Sequence, residues 1–413
     1  MATGSLLAAG GASGISGTTL TIYSSLPRQG PSGPQARAIE NGAKMALAER
    51  GGKVGRYKIV YRPLDDSRST TGAADEARAQ ANARRAAADE TAIAYVGEYN
   101  SSISKSTIPI LNRAGIAQVS PSNTFNGLTV SGPGTDPGDP HKYYPTGRRT
   151  YARILPNDVV QAAALATVAK DDGCRSVHVF HSGTTYSRGL AVSIGRSARS
   201  LGLKVSATVR YDPRAPDYRR QARKVRAPCV IETGEIESNG LRVVLDVGRA
   251  RPKARIYAAD GMCLDDTARH LSRARRKRFR CTIAVLDRYA YPPGGRRVLA
   301  DYAVRYDDDT PDPYAITGYE SMALLLDSIQ RASESGGGGG GPGYGSPFRL
   351  SAAANGDVTR EGVVAALFAT KDRNSVLGTY SIDANGDTTL RTYGLYKVDG
   401  RRRLTYDRTI HAR

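Results

Sequence analysis

Two kinds of hydrophobic pattern alternate along the first part of the chain. Short β-rich apolar runs are separated by longer segments in which apolar residues recur every three or four positions. The first pattern is typical of buried strands and the second of amphipathic helices. Strands are predicted at residues 19–24, 57–61, 93–96 and 116–119, and helices at 34–50, 70–89 and 102–114. This order predicts a parallel sheet with helices on both faces.

The same rhythm restarts after a Gly-, Pro- and Asp-rich stretch at 131–149, which we interpret as a loop. Helices are predicted at 158–172, 187–201, 217–227, 238–249 and 265–278, and strands at 175–181, 204–210, 229–233, 254–259 and 281–286. The fold class is therefore α/β, with a second doubly wound parallel sheet in its own domain.

The last third of the chain changes character. Helices are predicted at 296–306, 313–333 and 359–370, with six consecutive glycines at 336–341. Two β-like runs, 378–382 and 392–398, are joined by the turn 383–387, and this arrangement predicts a hairpin.

These late elements need neighbours in the two earlier sheets. We expect the helices to return to the first domain and the final strands to the second, which gives about three crossings between domains and a hinge that permits lobe closure. The predicted division is a flexible leader at 1–17, lobe I at 18–150 plus 292–376, and lobe II at 151–291 plus 377–413.

The chain is strongly basic, with 59 Lys and Arg against 39 Asp and Glu and a formal net charge of +20. The basic residues are spread through helices such as 217–227 and 271–280, without the aromatic interleaving or the motifs of nucleic-acid readers. We expect no specific nucleic-acid partner, while contact with anionic lipid or wall polymer stays open. No segment approaches the roughly 20 apolar residues of a membrane-spanning helix.

Four cysteines are placed where two disulfides are geometrically feasible. Cys174 and Cys229 precede or open strands at the same end of one predicted sheet, while Cys263 follows one strand and Cys281 opens the next. Disulfides 174–229 and 263–281 would indicate an oxidising, extracytoplasmic compartment. Four buried free thiols are the alternative.

Two hydroxyl-rich turns follow neighbouring strands of the first sheet. Ser101 and Ser102 follow one strand, and Ser122 and Thr124 follow the next. Ligands of open α/β sheets lie beyond the carboxyl ends of the strands, where helix N-termini and hydroxyls converge on anions. The turns predict a site for a small carboxylate, although serines at such positions also serve as helix caps or turn formers.

Several segments resemble the branched-chain amino-acid-binding proteins of bacterial ABC transporters. Their order and spacing together carry the resemblance, which covers roughly residues 19–400: IYSSLPRQGP at 22–31, IENGAKMAL at 39–47, YVG at 95–97 with Ser101 and Ser102, AQVSPSNT at 117–124, YARILP at 151–156, TYSRGL at 185–190 and PYAITGYE at 313–320.

The resemblance implies a type I periplasmic-binding-protein fold, with two lobes joined by three crossovers and a ligand clamped between them. It implies no catalysis and no cofactor, an amino-acid-like ligand, an ABC permease as the membrane partner, an extracytoplasmic location and, we expect, a monomer. A sensor or receptor domain of the same fold is the alternative function.

The same resemblance assigns roles to individual residues. Ser101 and Thr124 correspond to donors for the ligand's carboxylate, and the backbone carbonyl of Ser122 to an acceptor for its ammonium group. Tyr186 corresponds to an aromatic residue that closes over the ligand, and Asp260 to an acidic partner of the ammonium. Tyr186 packing on its own lobe, or Asp260 as a helix cap, are the alternatives.

The sequence departs from the family pattern where selectivity is decided. In the first lobe, Arg28 and Gln29 stand where the family has an apolar wall. In the second lobe, the turn after residue 233 carries Glu235 and Glu237, and we expect either of them to reach the rim of the cleft. An aliphatic side-chain pocket is therefore not assured, and a polar amino acid, another carboxylate or an amide fits equally well.

Enzymatic functions are poorly supported by the sequence. The five histidines lack metal-ligand spacing, no nucleophile elbow or phosphate loop is present, and the turn 383–387 lacks the closing acid of a calcium loop. We expect no metal. Hydrolysis of small amides by Ser101 is a weaker third hypothesis.

Overall fold

A computed structural model describes residues 15, 17–308, 311–335 and 357–412. The predicted leader lies almost entirely outside the described residues, and the glycine run lies wholly outside them. Six strands form the sheet of lobe I: β1 (Thr19–Leu26), β2 (Lys53–Val54), β3 (Tyr57–Asp65), β4 (Ala92–Val96), β5 (Ala117–Ser120) and β6 (Tyr151–Arg153). Their order is β2-β3-β1-β4-β5-β6, and every pair except β2–β3 is parallel.

The remaining strands are, in chain order, β7 (Ser176–His181), β8 (Lys204–Arg210), β9 (Cys229–Glu232), β10 (Arg255–Ala258), β11 (Phe279–Ile283), β12 (Arg373–Ser375), β13 (Gly378–Tyr380), β14 (Thr392–Val398) and β15 (Leu404–His411). Seven of them form the sheet of lobe II in the order β15-β14-β11-β10-β9-β7-β8. This sheet is parallel except where β14 and β15 join its edge. The prediction of two parallel-dominated α/β lobes is confirmed.

Helices cover both sheets. They are α1 (Gly33–Glu49), α2 (Glu76–Ala88), α3 (Ser101–Arg113), α4 (Asp158–Asp171), α5 (Thr185–Ser200), α6 (Arg219–Lys224), α7 (Gly240–Ala250), α8 (Asp265–His270), α9 (Arg273–Arg276), α10 (Pro293–Tyr306), α11 (Ala315–Ser335) and α12 (Arg360–Phe368).

The described chain passes between the lobes three times. It leaves β6 in the first sheet for α4, which packs on β11 and β14 of the second. It returns after β11 to α10 and α11, which pack beside α1, and crosses again between β13 and β14. Because β6 belongs to the first sheet, that sheet extends three residues beyond the boundary predicted at 150.

A buried ion pair joins two of these crossings. Arg153, fully buried at the end of β6, donates from Nε to Asp387 Oδ1 at 2.7 Å and from Nη1 to the Phe125 carbonyl at 2.8 Å. Asn157 donates to the other carboxylate oxygen of Asp387 at 3.0 Å. The turn 383–387 therefore anchors the hinge, since its terminal acid is committed to Arg153.

Three expectations about individual elements were wrong. The runs 378–382 and 392–398 do not form a hairpin, because β13 pairs with β12 while β14 pairs with β11 and β15. The helix predicted at 265–278 breaks into α8 and α9, since Ser272 adopts an extended conformation and caps the second helix through Arg275 N. The strands β2, β6, β12 and β15 were not predicted.

Both expected disulfides are present. Cys174 is bonded to Cys229 and Cys263 to Cys281, with Cα–Cα distances of 6.1 and 5.4 Å. The first links the segment before β7 to β9 and the second links the turn after β10 to β11, so both brace lobe II. The described chain contains no free cysteine.

The long helices α1 and α11 of lobe I pack through glycines. A Cβ atom on Gly42 would collide with the backbone carbonyl of Ala315, and one on Gly318 would collide with that of Ile39. Each glycine therefore permits a backbone-to-backbone approach that any side chain would prevent.

We expect Gly318→Ala to lower the free energy of unfolding by about 1–3 kcal/mol, because the added methyl group overpacks this helix pair. Chemical denaturation monitored by circular dichroism measures the change. Gly294→Ala is the matched control, since no heavy atom lies within 4 Å of the added Cβ. Equal stability of the two variants would contradict the proposed close packing.

Candidate functional site

A small polar cavity lies where the two lobes meet. Its volume is about 40 Å³, which is room for about three water molecules. Six of the seven predicted site residues line it: Ser101, Ser122, Thr124, Tyr186, Glu235 and Asp260. The other lining residues are Ser32, Tyr99, Asn100, Glu237, Gly261 and Tyr314. Ser102 lies in the first turn of α3 and is not among the lining residues.

The two hydroxyl turns of lobe I are held together by hydrogen bonds. Asn123 donates from Nδ2 to the carbonyls of Glu98 and Tyr99 at 3.0 and 2.8 Å. Ser120 donates to the Glu98 carbonyl at 2.9 Å, and Ser122 donates to the Tyr99 carbonyl at 2.9 Å. The Ser122 hydroxyl is thus used to fix the loop, which leaves its backbone as the part available to a ligand.

Ser101 is not a helix cap. The N-cap of α3 is Asn100, and its side chain makes no capping hydrogen bond. The Ser101 Oγ accepts from the Phe125 N–H at 3.3 Å, so its proton remains available to an acceptor in the cavity. The first turn of a 13-residue helix also directs N–H groups and a partial positive charge toward the cavity. This half of the site is suited to an anion.

Sequence reasoning missed four lining residues of lobe I: Ser32, Tyr99, Asn100 and Tyr314. Tyr99 and Tyr314 form an aromatic wall, with ring centroids 6.3 Å apart, and Ser32 precedes α1. Tyr314 lies in the segment 313–320, which is one of those that resemble the family, and this resemblance could have identified it as a site residue. Arg28 does not line the cavity, because its guanidinium is paired with Glu40 at 2.6 Å.

The lobe II half of the site is acidic. Glu235 accepts from the Thr184 hydroxyl at 3.1 Å and from the Ser238 hydroxyl at 3.0 Å. Asp260 accepts from the Tyr186 hydroxyl, and from Gly261 N–H at 2.9 Å. Both carboxylates follow strands of the second sheet, so the two lobes present opposite chemistry across one gap.

Direct contacts across the gap show that the lobes are closed. Ser32 of lobe I donates to Glu237 of lobe II. At the rim, Lys105 Nζ donates to Thr185 Oγ1 at 2.6 Å, and Asp136, from the loop 131–149, pairs with Arg188 at 2.5 Å. A ligand larger than a few waters therefore requires the lobes to separate before it enters.

Burial raises the pKa values of the acids on the lobe II side. It raises the pKa of Glu235 to about 7 and that of Asp260 to about 6, and it raises the pKa of Glu237. In each case, removal from water disfavours the charged carboxylate. The folded protein therefore retains protons on these residues at pH values where the unfolded chain has released them.

A polar cavity enclosed between two hinged α/β lobes defines a cleft-type solute-binding protein. A profile of the family described as "Periplasmic binding protein" matches residues 19–403. The chain belongs to this family, which is one of binding proteins rather than enzymes. A search of curated proteins found no match.

Solved structures support the same fold. A leucine-binding protein from Thermotoga maritima is 22% identical, with 95% of this chain and 99% of that chain covered and a TM-score of 0.74. A branched-chain amino acid transporter substrate-binding protein from Streptococcus pneumoniae, in complex with isoleucine, is 16% identical, with 95% and 98% covered and a TM-score of 0.72. An ABC-transporter solute-binding protein from Rhodopseudomonas palustris, in complex with p-hydroxybenzoic acid, is 16% identical, with 96% and 98% covered and a TM-score of 0.73.

The raised carboxylate pKa values predict a pH-dependent stability for the empty protein. Between about pH 4.5 and pH 7, Glu235 is ionised in the unfolded chain but still protonated in the folded protein. The contribution of Glu235 to the free energy of unfolding therefore falls as the pH rises through this range. We expect Glu235→Gln to be more stable than the parent by about 1–2 kcal/mol at pH 8 and equally stable at pH 4.5.

Urea denaturation of ligand-free protein at the two pH values measures the difference. Glu76→Gln, on the exposed surface of α2, is the matched control for replacing a carboxylate by an amide away from the cavity. A Glu235→Gln difference that does not change with pH would contradict the raised pKa.

Proposed function

We propose that this protein is the extracytoplasmic binding component of an ABC importer that captures an amino acid or a related small carboxylate between its lobes. The observation that carries the proposal is the opposite chemistry of the two cleft walls. Lobe I presents hydroxyl and helix N-terminal donors, and lobe II presents carboxylates. A zwitterion bearing one carboxylate and one ammonium group complements both walls.

The proposed contacts follow from the hydrogen bonds already in place. The ligand's carboxylate accepts from Ser101 and Thr124, which line the lobe I wall. The ammonium donates to Asp260, whose position is set by Tyr186, and to the backbone carbonyl of Ser122. Ser102 is left out of the proposed contact set because it does not line the cavity.

Family membership indicates an extracytoplasmic location, and two disulfides agree with an oxidising compartment. Among the residues that the structure describes, no helix has the length and apolar character needed to cross a membrane. We propose that the protein acts as a monomer and delivers its ligand to a membrane permease, with no specific nucleic-acid partner.

We expect at least one amino acid or small carboxylate to bind with micromolar or tighter affinity and to raise the melting temperature, because a ligand that binds only the folded state stabilises it. Calorimetry and thermal shift against such a panel measure this. If no member of the panel binds, the proposed ligand class is wrong.

Replacing Ser101 or Thr124 by Ala should weaken binding of that ligand by about 1–3 kcal/mol, because its carboxylate loses a hydrogen-bond donor. Ser200→Ala, on the exposed end of α5, is the matched control. If both site variants bind the ligand with the affinity of the parent, the ligand's carboxylate is bound elsewhere.

Import and sensing are separated by a cellular measurement. Loss of labelled-ligand uptake on deletion of the gene supports import. Retained uptake together with a lost transcriptional response supports a sensor domain of the same fold.

A further inference from the structure

The wall of the cavity carries more acidic groups than one ammonium group can balance. Three carboxylates, Glu235, Glu237 and Asp260, line the cavity, and none of the described residues that line it is Lys or Arg. This contrasts with the chain as a whole, which carries a net charge of +20. Partly buried carboxylates without a cation are unfavourable, and a bound cation relieves that cost.

A fourth carboxylate lies directly behind the wall. Asp158, at the start of α4, is fully buried and makes no hydrogen bond of ordinary geometry through its carboxyl oxygens. It lies near the Thr124 hydroxyl and interacts with the acids Asp260 and Glu235. Burial raises the pKa of Asp158 well above its usual range, so this acid favours its neutral form and the negative charge of the cavity comes from the three lining carboxylates.

The basic residues near these acids are engaged by acids outside the cavity. Arg153 interacts with Asp158, but its guanidinium is bound to Asp387 at 2.7 Å. At the rim, Arg188 pairs with Asp136 at 2.5 Å, and Lys105 lies 4.0 Å from the same carboxylate. Among the described residues that line the cavity, none is a cation that could balance these acids.

The lining acids are divided between two positions. Asp260, with Tyr186, lies where the proposed ligand's α-ammonium is expected. Glu235 is oriented by the hydroxyls of Thr184 and Ser238, and Glu237 reaches across the gap to Ser32. The described acids include no group of three arranged to hold a metal ion. The second position therefore suits an organic cation with several N–H donors.

We propose that the ligand is a basic amino acid, whose side-chain cation is bound between Glu235 and Glu237 while its α-ammonium is bound by Asp260. This inference rests on the proposed function and narrows its ligand class. As the lobes close, the side-chain cation replaces Ser32 as the partner of Glu237, so closure on a basic ligand exchanges a neutral donor for a charged one.

Matched ligands test the proposal by calorimetry on the full chain. L-lysine and L-norleucine share one carbon skeleton and differ by the terminal ammonium, as do L-ornithine and L-norvaline. We expect the basic member of at least one pair to bind at least about 30-fold more tightly at pH 7.5. Glu237→Gln should reduce this ratio by about tenfold or more, while the exposed control Asp301→Asn should not change it.

The possible outcomes separate this inference from the proposed function. If neither basic amino acid binds more tightly than its uncharged partner while any amino acid binds, the inference is wrong and the amino-acid site stands. If no amino acid and no small carboxylate binds, the proposed function fails as well. If cadaverine binds as tightly as lysine, the cation subsite is supported and the carboxylate role of Ser101 and Thr124 is overturned.

Discussion

The buried ion pair between Arg153 and Asp387 is the constraint on which the rest of the molecule depends. It joins the crossing after β6 to the crossing before β14, so it sets how the two lobes are held at the hinge. Removing one partner of a buried pair costs far more than the pair contributes, because the other charge is left without compensation. The same pairing keeps Arg153, which is fully buried near the cleft, neutralised, so that the cavity wall remains acidic.

Two different kinds of wall result from one topology. Both cleft walls lie beyond the carboxyl ends of parallel strands, but the lobe I turns that line the cavity carry Ser, Asn and Thr, whereas the lobe II turns that line it carry Glu and Asp. The hydroxyl wall is rigid because Ser120 and Asn123 bind both turns together. The acidic wall is held by Thr184, Ser238 and Tyr186, which orient its carboxylates without neutralising them.

Much of the site was predictable, and the residues that were missed have two different causes. Ser101, Ser122, Thr124 and Asp260 carry polar side chains that follow strands, and a strand end is visible in the pattern of apolar residues. Tyr99 follows the same strand as Ser101, but an aromatic side chain there gives no signal of an anion site. Ser32 and Tyr314 precede α1 and α11, and they line the cavity only because helix packing brings them there. The wrongly predicted hairpin has a similar origin, since β13 and β14 found partners distant in sequence rather than each other.

The sequence by itself determined the α/β class, the two lobes, the three crossings and the hydroxyl and acidic turns, because each depends on local periodicity or on residues adjacent to a strand. Only the tertiary structure decided which of those turns share a cavity, that Ser102 lies outside it, and that Arg28 and Arg153 are paired elsewhere. A charge pair such as Arg153–Asp387, whose partners are 234 residues apart, leaves no local pattern in the sequence, yet such pairing helps to determine the charge that a ligand meets.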